Sequence, residues 1–199
     1  MEFKDIVTKR YATKKFDGKK IEQKKVDELL EIIRHSASSM NLQPWKIKVI
    51  SDPKVLEKLA PAAYNQAQIT TGSHLLVFCA DIDLKSRRNI MEKTLIKNGG
   101  TKENLKPYMD MIDGSVNNMS PDQKLSWAQR QTFLAIGNAI NGAKALGFDS
   151  CPMEGFNSQE FSKILKIPEN LVPTALVTIG YASDNPRPKF RLPKEDVFF

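Results

Sequence analysis

Six consecutive apolar residues, Leu75-Leu76-Val77-Phe78-Cys79-Ala80, form the longest uninterrupted apolar run in the chain. A strand with one wet face alternates; one that is apolar on both faces belongs in the interior of its sheet. The run is also far short of the ~20 residues a membrane span needs. A second segment narrows the architecture further. Ser120-Pro121-Asp122-Gln123 is a capping box with proline at the first helical position, and Gly147 stops the helix it opens at about Leu146. That helix carries Ala135, Gly137, Ala139, Gly142, Ala143 and Ala145 among Phe133, Leu134, Ile136, Ile140 and Leu146. It is apolar nearly all round and has to be buried on most sides. Its small residues let another helix approach closely. It is either the central core helix of a monomer or a helix that a second subunit also buries, and the second reading is adopted.

The remaining elements are shorter. Glu2 to Arg10 and Lys24 to His35 place apolar residues at helical spacing. Trp45 to Ile50 alternates apolar and basic residues, the pattern of a half-buried strand. Asp52 and Pro53 supply an N-cap and a first-turn proline for a helix through Leu59. Phe148 to Pro152 predicts a short strand, Ser158 to Leu165 a helix, and Val172 to Tyr181 a strand with Pro173 at its edge. Residues 84–118 are polar, rich in Met and Asn, and broken by Gly99-Gly100 and Pro107. Short helices with a mobile linker are expected there. No internal repeat or low-complexity linker divides the chain, so residues 1–199 read as one domain. The strands are too few, and too interspersed with long helices, for a sandwich or barrel. The fold class expected is α+β, a mixed, mainly antiparallel sheet packed by helices.

Charge bears on partners. The 199 residues include 30 basic and 23 acidic side chains, a net charge of +7. One basic cluster fills the first 25 residues and a second, Arg187, Lys189, Arg191 and Lys194, lies near the end. Nucleic acid, an anionic surface or a phosphorylated small molecule would each suit that excess. No zinc-finger spacing, aromatic RNA-binding motif or basic repeat accompanies it. Cys79 and Cys151 cannot build a disulfide framework, and both sit in apolar stretches that read as core. Met1 to Asp5 lacks the apolar core of a signal peptide, so a soluble, cytoplasmic protein without membrane contact is expected.

Several chemistries are unsupported. There is no G-x-G-x-x-G among the ten glycines. The run from Gly137 to Lys144 has phosphate-loop glycine spacing but lies inside a helix. His35 and His74 have no close cluster of metal ligands, and no nucleophile elbow accompanies either. Metal-assisted and serine hydrolysis are therefore not expected, and neither is a metal. What stands out is a loop, Ser36-Ala37-Ser38-Ser39-Met40-Asn41-Leu42-Gln43-Pro44-Trp45, whose small polar residues suit the edge of a planar polar ligand.

Four segments together resemble the FMN-dependent nitroreductase family, in particular its oxygen-insensitive NAD(P)H nitroreductase and dihydropteridine reductase branch. They are Lys9-Arg10-Tyr11-Ala12-Thr13-Lys14-Lys15-Phe16, the Ser36 to Trp45 loop, Pro152-Met153-Glu154-Gly155-Phe156, and Pro188-Lys189-Phe190-Arg191-Leu192-Pro193. They fall in family order from residue 9 to residue 193.

The resemblance implies an intertwined homodimer with FMN at the subunit interface. Arg10, Lys189 and Arg191 would clamp its phosphate, which two guanidinium forks and an ammonium suit well. Lys14 would reach the ribityl chain and pyrimidine edge, and Asn65 the N3/O2 side. The backbone of Glu154 and Gly155 would hydrogen-bond O4 and N5, where glycine lets the main chain approach, and Pro152 belongs to the same cofactor-binding segment. Ser38, Ser39 and Asn41 would come from the partner subunit. Two positions depart from the pattern. Ala12 replaces a hydroxyl residue that would contact phosphate, and Gln68 replaces a lysine near N1/O2. Residues 84–118 correspond to the family's substrate lid, with Tyr108 as its candidate substrate-contacting aromatic. Arg87 lies in that polar stretch, outside all four motifs.

The activity implied is ping-pong hydride transfer from NADH or NADPH through flavin N5 to a small-molecule acceptor such as a nitroaromatic or quinone. No side chain need be catalytic in its own right. A reductase of a pteridine, an enone or free flavin is the alternative within the family. A basic module binding nucleic acid is the alternative of a different class.

Overall fold

In the computed structural model, which describes residues 1–199, the run from Leu75 to Ala80 lies inside strand β2 (His74–Asp81), every residue of which is buried. Strand β1 (Trp45–Ile50) pairs with one side of β2 and β4 (Leu171–Gly180) with the other, and β3 (Asp149–Met153) lies outside β4. All three pairings are antiparallel, and one parallel bridge joins Ala12 to Ser150. The edge strands match their composition. Lys46 and Lys48 on β1 are exposed, charges that discourage further strand pairing. Pro152, which has no N–H to give, sits in β3 at the opposite edge. Pro173 lies near the start of interior strand β4, beside an irregularity where the register slips between Phe78 and Cys79.

Helices cover both faces of the sheet. On one face, α2 (Gln23–Arg34) and α7 (Pro121–Ala145) pack over Leu76, Phe78 and Val177. On the other, α3 (Pro53–Leu59), α4 (Ala67–Thr71) and α8 (Ser158–Leu165) pack over Leu75, Val77 and Leu176. Alternate side chains of β2 therefore feed two cores, and burying each Leu or Phe fully is worth about 1.5–3 kcal/mol. Helix α1 (Phe3–Lys9) runs against α7.

Both bonds of the Ser120–Gln123 capping box form, and Gly147 adopts φ +86°, a conformation cheap only for glycine. The small residues of α7 divide between two surroundings. A Cβ on Gly142 would stand 2.9 Å from Leu29 Cδ1 and 3.2 Å from Ile32 Cγ2, so this glycine lets α2 of the same chain come close. Gly137 has nothing within 4 Å of its Cβ direction, and Phe133 and Leu134 beside it are 41% and 50% exposed. Within one chain this strip is open, the side that the expected second subunit would have to cover.

Residues 84–118 are likewise not short helices on a mobile linker. They form a hairpin of two full helices, α5 (Leu84–Lys97) and α6 (Lys102–Asn117), turning at Gly99. Leu84, Met91, Met109, Ile112 and Val116 bury against Trp127 and Ala128 of α7. Pro107 sits within α6, and Asp83 and Thr101 cap the two helices. No helix is long and apolar enough to cross a membrane.

Candidate cofactor site

The basic tail returns to the start of the chain. Helix α1 ends at Arg10, and Lys189 Nζ donates to the carbonyl of Val7 in its last turn at 2.8 Å. A cation is favoured there because the carbonyls of a last turn are unpaired and carry the negative end of the helix dipole. This contact brings Lys189 and Arg191 close to Arg10. Burial, and then Arg191, hold the Arg10 guanidinium below its ordinary pKa. Desolvation, then Arg10 and Arg191, push the Lys189 ammonium down. No carboxylate forms an ion pair with any of the three. Three cations that repel one another without an acid among them suit an anion chemically.

Beyond Arg10 the chain runs alongside β3, where Ala12 bridges to Ser150. Asp184 fixes this segment by accepting from the Tyr11 hydroxyl at 2.9 Å and from the Lys14 N–H at 2.7 Å. Lys14 Nζ lies 3.7 Å from Cys151 Sγ. Tyr11, Ala12, Lys14, Asp184, Asn185 and Arg187 line a cavity of about 460 Å³. Burial raises the Cys151 thiol, with Lys14 acting the other way, and pushes Cys79 up to about 12. Neither cysteine is an activated nucleophile.

The third part of the site surrounds the end of β3. Gln66 Nε2 donates to the carbonyl of Gly155 at 2.7 Å, and Gln68 Nε2 donates to Gln66 Oε1 at 3.0 Å and approaches Met153 Sδ at 3.1 Å. Gln68 is buried, so both its N–H groups are spent within the protein instead of facing a ligand edge as a free neutral donor. The pair of glutamines fixes the peptide at Gly155. A Cβ there would meet only Gln66 Nε2 at an ordinary 3.7 Å. The protein's own packing therefore does not demand glycine at 155, and the space in front of it is open. Asn65 is exposed at φ +53° beside this pair. Phe133, Gly137 and Ile140 of α7 face Pro152, Met153 and Glu154 across a further cavity of about 300 Å³.

Ser38, Ser39 and Asn41 lie elsewhere. Their loop leads into β1, while Pro152 to Gly155 leave β3 at the opposite edge of the four-stranded sheet. Three strand spacings separate those edges, about 14 Å. No hydrogen bond joins the loop to Arg10, Lys14, Gln68 or Gly155. The loop is strained: Met40, Asn41 and Gln43 have φ of +53°, +49° and +47°, at a cost of about 1–3 kcal/mol for each such residue that is not glycine. Ser38 Oγ accepts from the Gln43 N–H at 2.9 Å, and Gln131 of α7 accepts from the Ser39 N–H at 2.8 Å. Tyr108, the candidate substrate-contacting aromatic, lies in α6 against this same loop. It is half-buried, and its hydroxyl donates to the Met40 carbonyl at 3.0 Å.

The structure thus brings Arg10, Lys189 and Arg191 together and sets Lys14 beside β3, and it adds Asp184, Gln66 and Arg87, which no sequence motif marks. Asp184 and Gln66 act through backbone groups distant in sequence. Arg87, read as polar surface, is a largely buried cation that donates to the carbonyls of Gln43 and Trp45.

An antiparallel sheet between helical layers defines an α+β protein, with a cationic cluster free of ion-paired acids at the end of α1 and open space before the backbone of Gly155. Residues 7–181 match the model of the nitroreductase family. A provisionally named NAD(P)H nitroreductase, YfkO of Bacillus subtilis, is 33% identical over 190 residues, covering 85% of this chain and 83% of its own. An NADH dehydrogenase of Thermus thermophilus is 31% identical over 170 residues, covering 85% and 82%. Among solved structures, a provisionally named nitroreductase of Exiguobacterium sibiricum in complex with FMN superposes with a TM-score of 0.90. It is 26% identical, with 99% of this chain and 96% of that one covered. The chain belongs to the nitroreductase family, which makes it an oxidoreductase.

Proposed function

We propose that the chain is an FMN-dependent NAD(P)H oxidoreductase, acting as a homodimer on electron-poor acceptors such as nitroaromatics or quinones. The observation that carries this reading is the cluster of Arg10, Lys189 and Arg191 without an acidic partner. A phosphate dianion relieves their mutual repulsion, and guanidinium forks match its oxygens. The open space in front of Gly155 suits a flat ring close to the main chain. The relatives named above for NAD(P)H or solved with FMN support the same assignment. Bound FMN would supply the redox chemistry, accepting hydride from NAD(P)H and passing electrons to the acceptor.

The chain's own residues bind and orient. Arg10, Lys189 and Arg191 hold the phosphate. Lys14 sets one positive charge over the ribityl and pyrimidine side, and Asn65 offers its free amide there. The backbone of Glu154 and Gly155 meets the reactive side of the ring, with the Gly155 peptide held by Gln66 and Gln68. Gln68 puts no positive charge at the pyrimidine edge, so Lys14 supplies it alone.

Ser38, Ser39 and Asn41 act on the partner's ring, since their own chain places them at the opposite edge of the sheet. The apolar strip of Phe133, Leu134 and Gly137 supports burial by a second copy. No side chain needs to form a covalent bond with substrate, consistent with two thiols held protonated by burial. The test is a panel of nitroaromatic, quinone, enone, pteridine and free-flavin acceptors, assayed with NADH and with NADPH. Turnover of nitroaromatics or quinones is expected. Turnover confined to another group reassigns the substrate, and none with any acceptor refutes the proposal.

A further inference from the structure

Arg87 holds the strained loop from its inner side. Its guanidinium donates to the carbonyls of Gln43 and Trp45, and its Nε lies 3.5 Å from Asp81 Oδ2. The Arg87 and Asp81 side chains are only 15% and 3% exposed. Asp81 is itself fixed, its Oδ1 accepting from Asn170 Nδ2 at 2.9 Å and from the Asp83 N–H at 3.1 Å. The Asp81 N–H also donates to the Pro44 carbonyl at 2.9 Å. The carbonyls of Gln43 and Trp45 are thus held by the Arg87 guanidinium, and the one between them, of Pro44, by the backbone of its partner Asp81. On the other side of the loop the Tyr108 hydroxyl holds the Met40 carbonyl. Left-handed conformations at Met40 and Gln43 persist only where surrounding contacts over-determine them. Both carbonyl bonds of Arg87 leave one nitrogen, Nη2, while Nε of the same rigid plane faces Asp81, so the guanidinium bridges loop and carboxylate at once; an ammonium, with a single nitrogen on a flexible stem, cannot occupy both positions.

We infer that Arg87, backed by Asp81, is a positioning residue that sets the Ser38–Gln43 loop for the FMN site of the partner subunit. The inference rests on the proposed function, in which Ser38, Ser39 and Asn41 serve that site. It gives the α5–α6 hairpin a task beyond packing: α5 carries Arg87 and α6 carries Tyr108, so the hairpin braces the loop from two directions. A residue that only stabilised the fold would lower the melting temperature and leave every site on its own chain equally affected. A positioning residue weakens the partner's site and spares its own.

Mixed dimers separate these outcomes. One chain carries Arg87→Lys and the other Arg191→Ala, each with its own purification tag. If Arg87 acts across the interface, one site combines the intact phosphate clamp of the first chain with the intact loop of the second. The Arg87→Lys homodimer should then bind FMN about tenfold more weakly than wild type, and half the sites of the mixed dimer should regain wild-type affinity. A mixed dimer with no wild-type site overturns the inference. In the protein without FMN, amide hydrogen exchange at residues 38–43 should quicken in Arg87→Lys and in the milder Tyr108→Phe, while β2 and β4 stay protected. Unchanged exchange at 38–43 in both variants overturns the inference by itself. Wild-type protein that binds no FMN overturns instead the reading beneath it.

Discussion

Lys189 Nζ donates to the carbonyl of Val7 across 182 residues of sequence, at 2.8 Å. That contact latches the exposed tail onto the end of α1 and draws the site's cations from both ends of the chain. A bound phosphate would tighten the same latch. Saturating FMN is therefore expected to slow tryptic cleavage at the Lys189–Phe190 and Arg191–Leu192 bonds, followed by mass spectrometry. Equal cleavage with and without FMN would show that the tail takes no part in binding.

Gly155→Ala separates folding from binding. The new methyl group meets only Gln66 Nε2 at 3.7 Å, and the backbone there is not left-handed. The variant should be as stable as wild type, or up to about 1 kcal/mol more stable through its stiffer unfolded chain. FMN binding should nevertheless weaken, because the methyl group enters the space assigned to the ring. Loss of stability with FMN affinity intact would argue against the cradle.

The open strip on α7 predicts a dimer of about 45 kDa, twice the 22.5 kDa of one chain. Leu134→Glu puts a charge on that strip at a site half exposed within its own chain. It should yield a folded monomer with unchanged helix content and much weaker FMN binding. Light scattering and circular dichroism check both points. A wild-type monomer that binds FMN tightly would remove the shared-site proposal.

His74 makes stability depend on pH. Its ring is buried with Nδ1 2.8 Å from Ser73 Oγ, and burial, then Lys20, lower its pKa. The unfolded chain therefore takes up a proton first as pH falls through about 6.5. The stability of the neutral native form is complete above that pH. It is lost between there and the depressed native value. Denaturant unfolding between pH 7.5 and 5.5 should show this loss in wild type and a flatter profile in His74→Gln. Parallel profiles would assign the loss to other groups.

Much of this fold was legible from local signals. Asp52-Pro53, Ser120-Pro121 and Gly147 mark helix ends through contacts within a few residues, and all three work as their chemistry dictates. The hairpin of 84–118 was not legible. Its buried positions are carried largely by Met91, Met109, Ile112 and Val116, spread among polar residues, and they pack against α7 instead of forming an independent apolar face. The phosphate clamp could be proposed from three basic residues, but only the fold shows them free of acids. Arg87 was misread because its partners are backbone carbonyls more than forty residues earlier, which no side-chain pattern records. Gln66 escaped for the same reason, its partner being the Gly155 carbonyl.

The central claim is that Arg10, Lys189 and Arg191 form a phosphate clamp for FMN, and fluorescence titration of FMN into wild type, Arg191→Ala and Lys97→Ala tests it most directly. Lys97 is exposed at the far end of α5, away from all three cations in sequence, and serves as the control. A charged hydrogen bond is worth about 1.5–3 kcal/mol. Wild type should therefore bind one FMN per chain, Lys97→Ala should match its affinity, and Arg191→Ala should lose roughly 10- to 150-fold. Equal affinity in all three proteins, or no FMN binding by wild type, would contradict it.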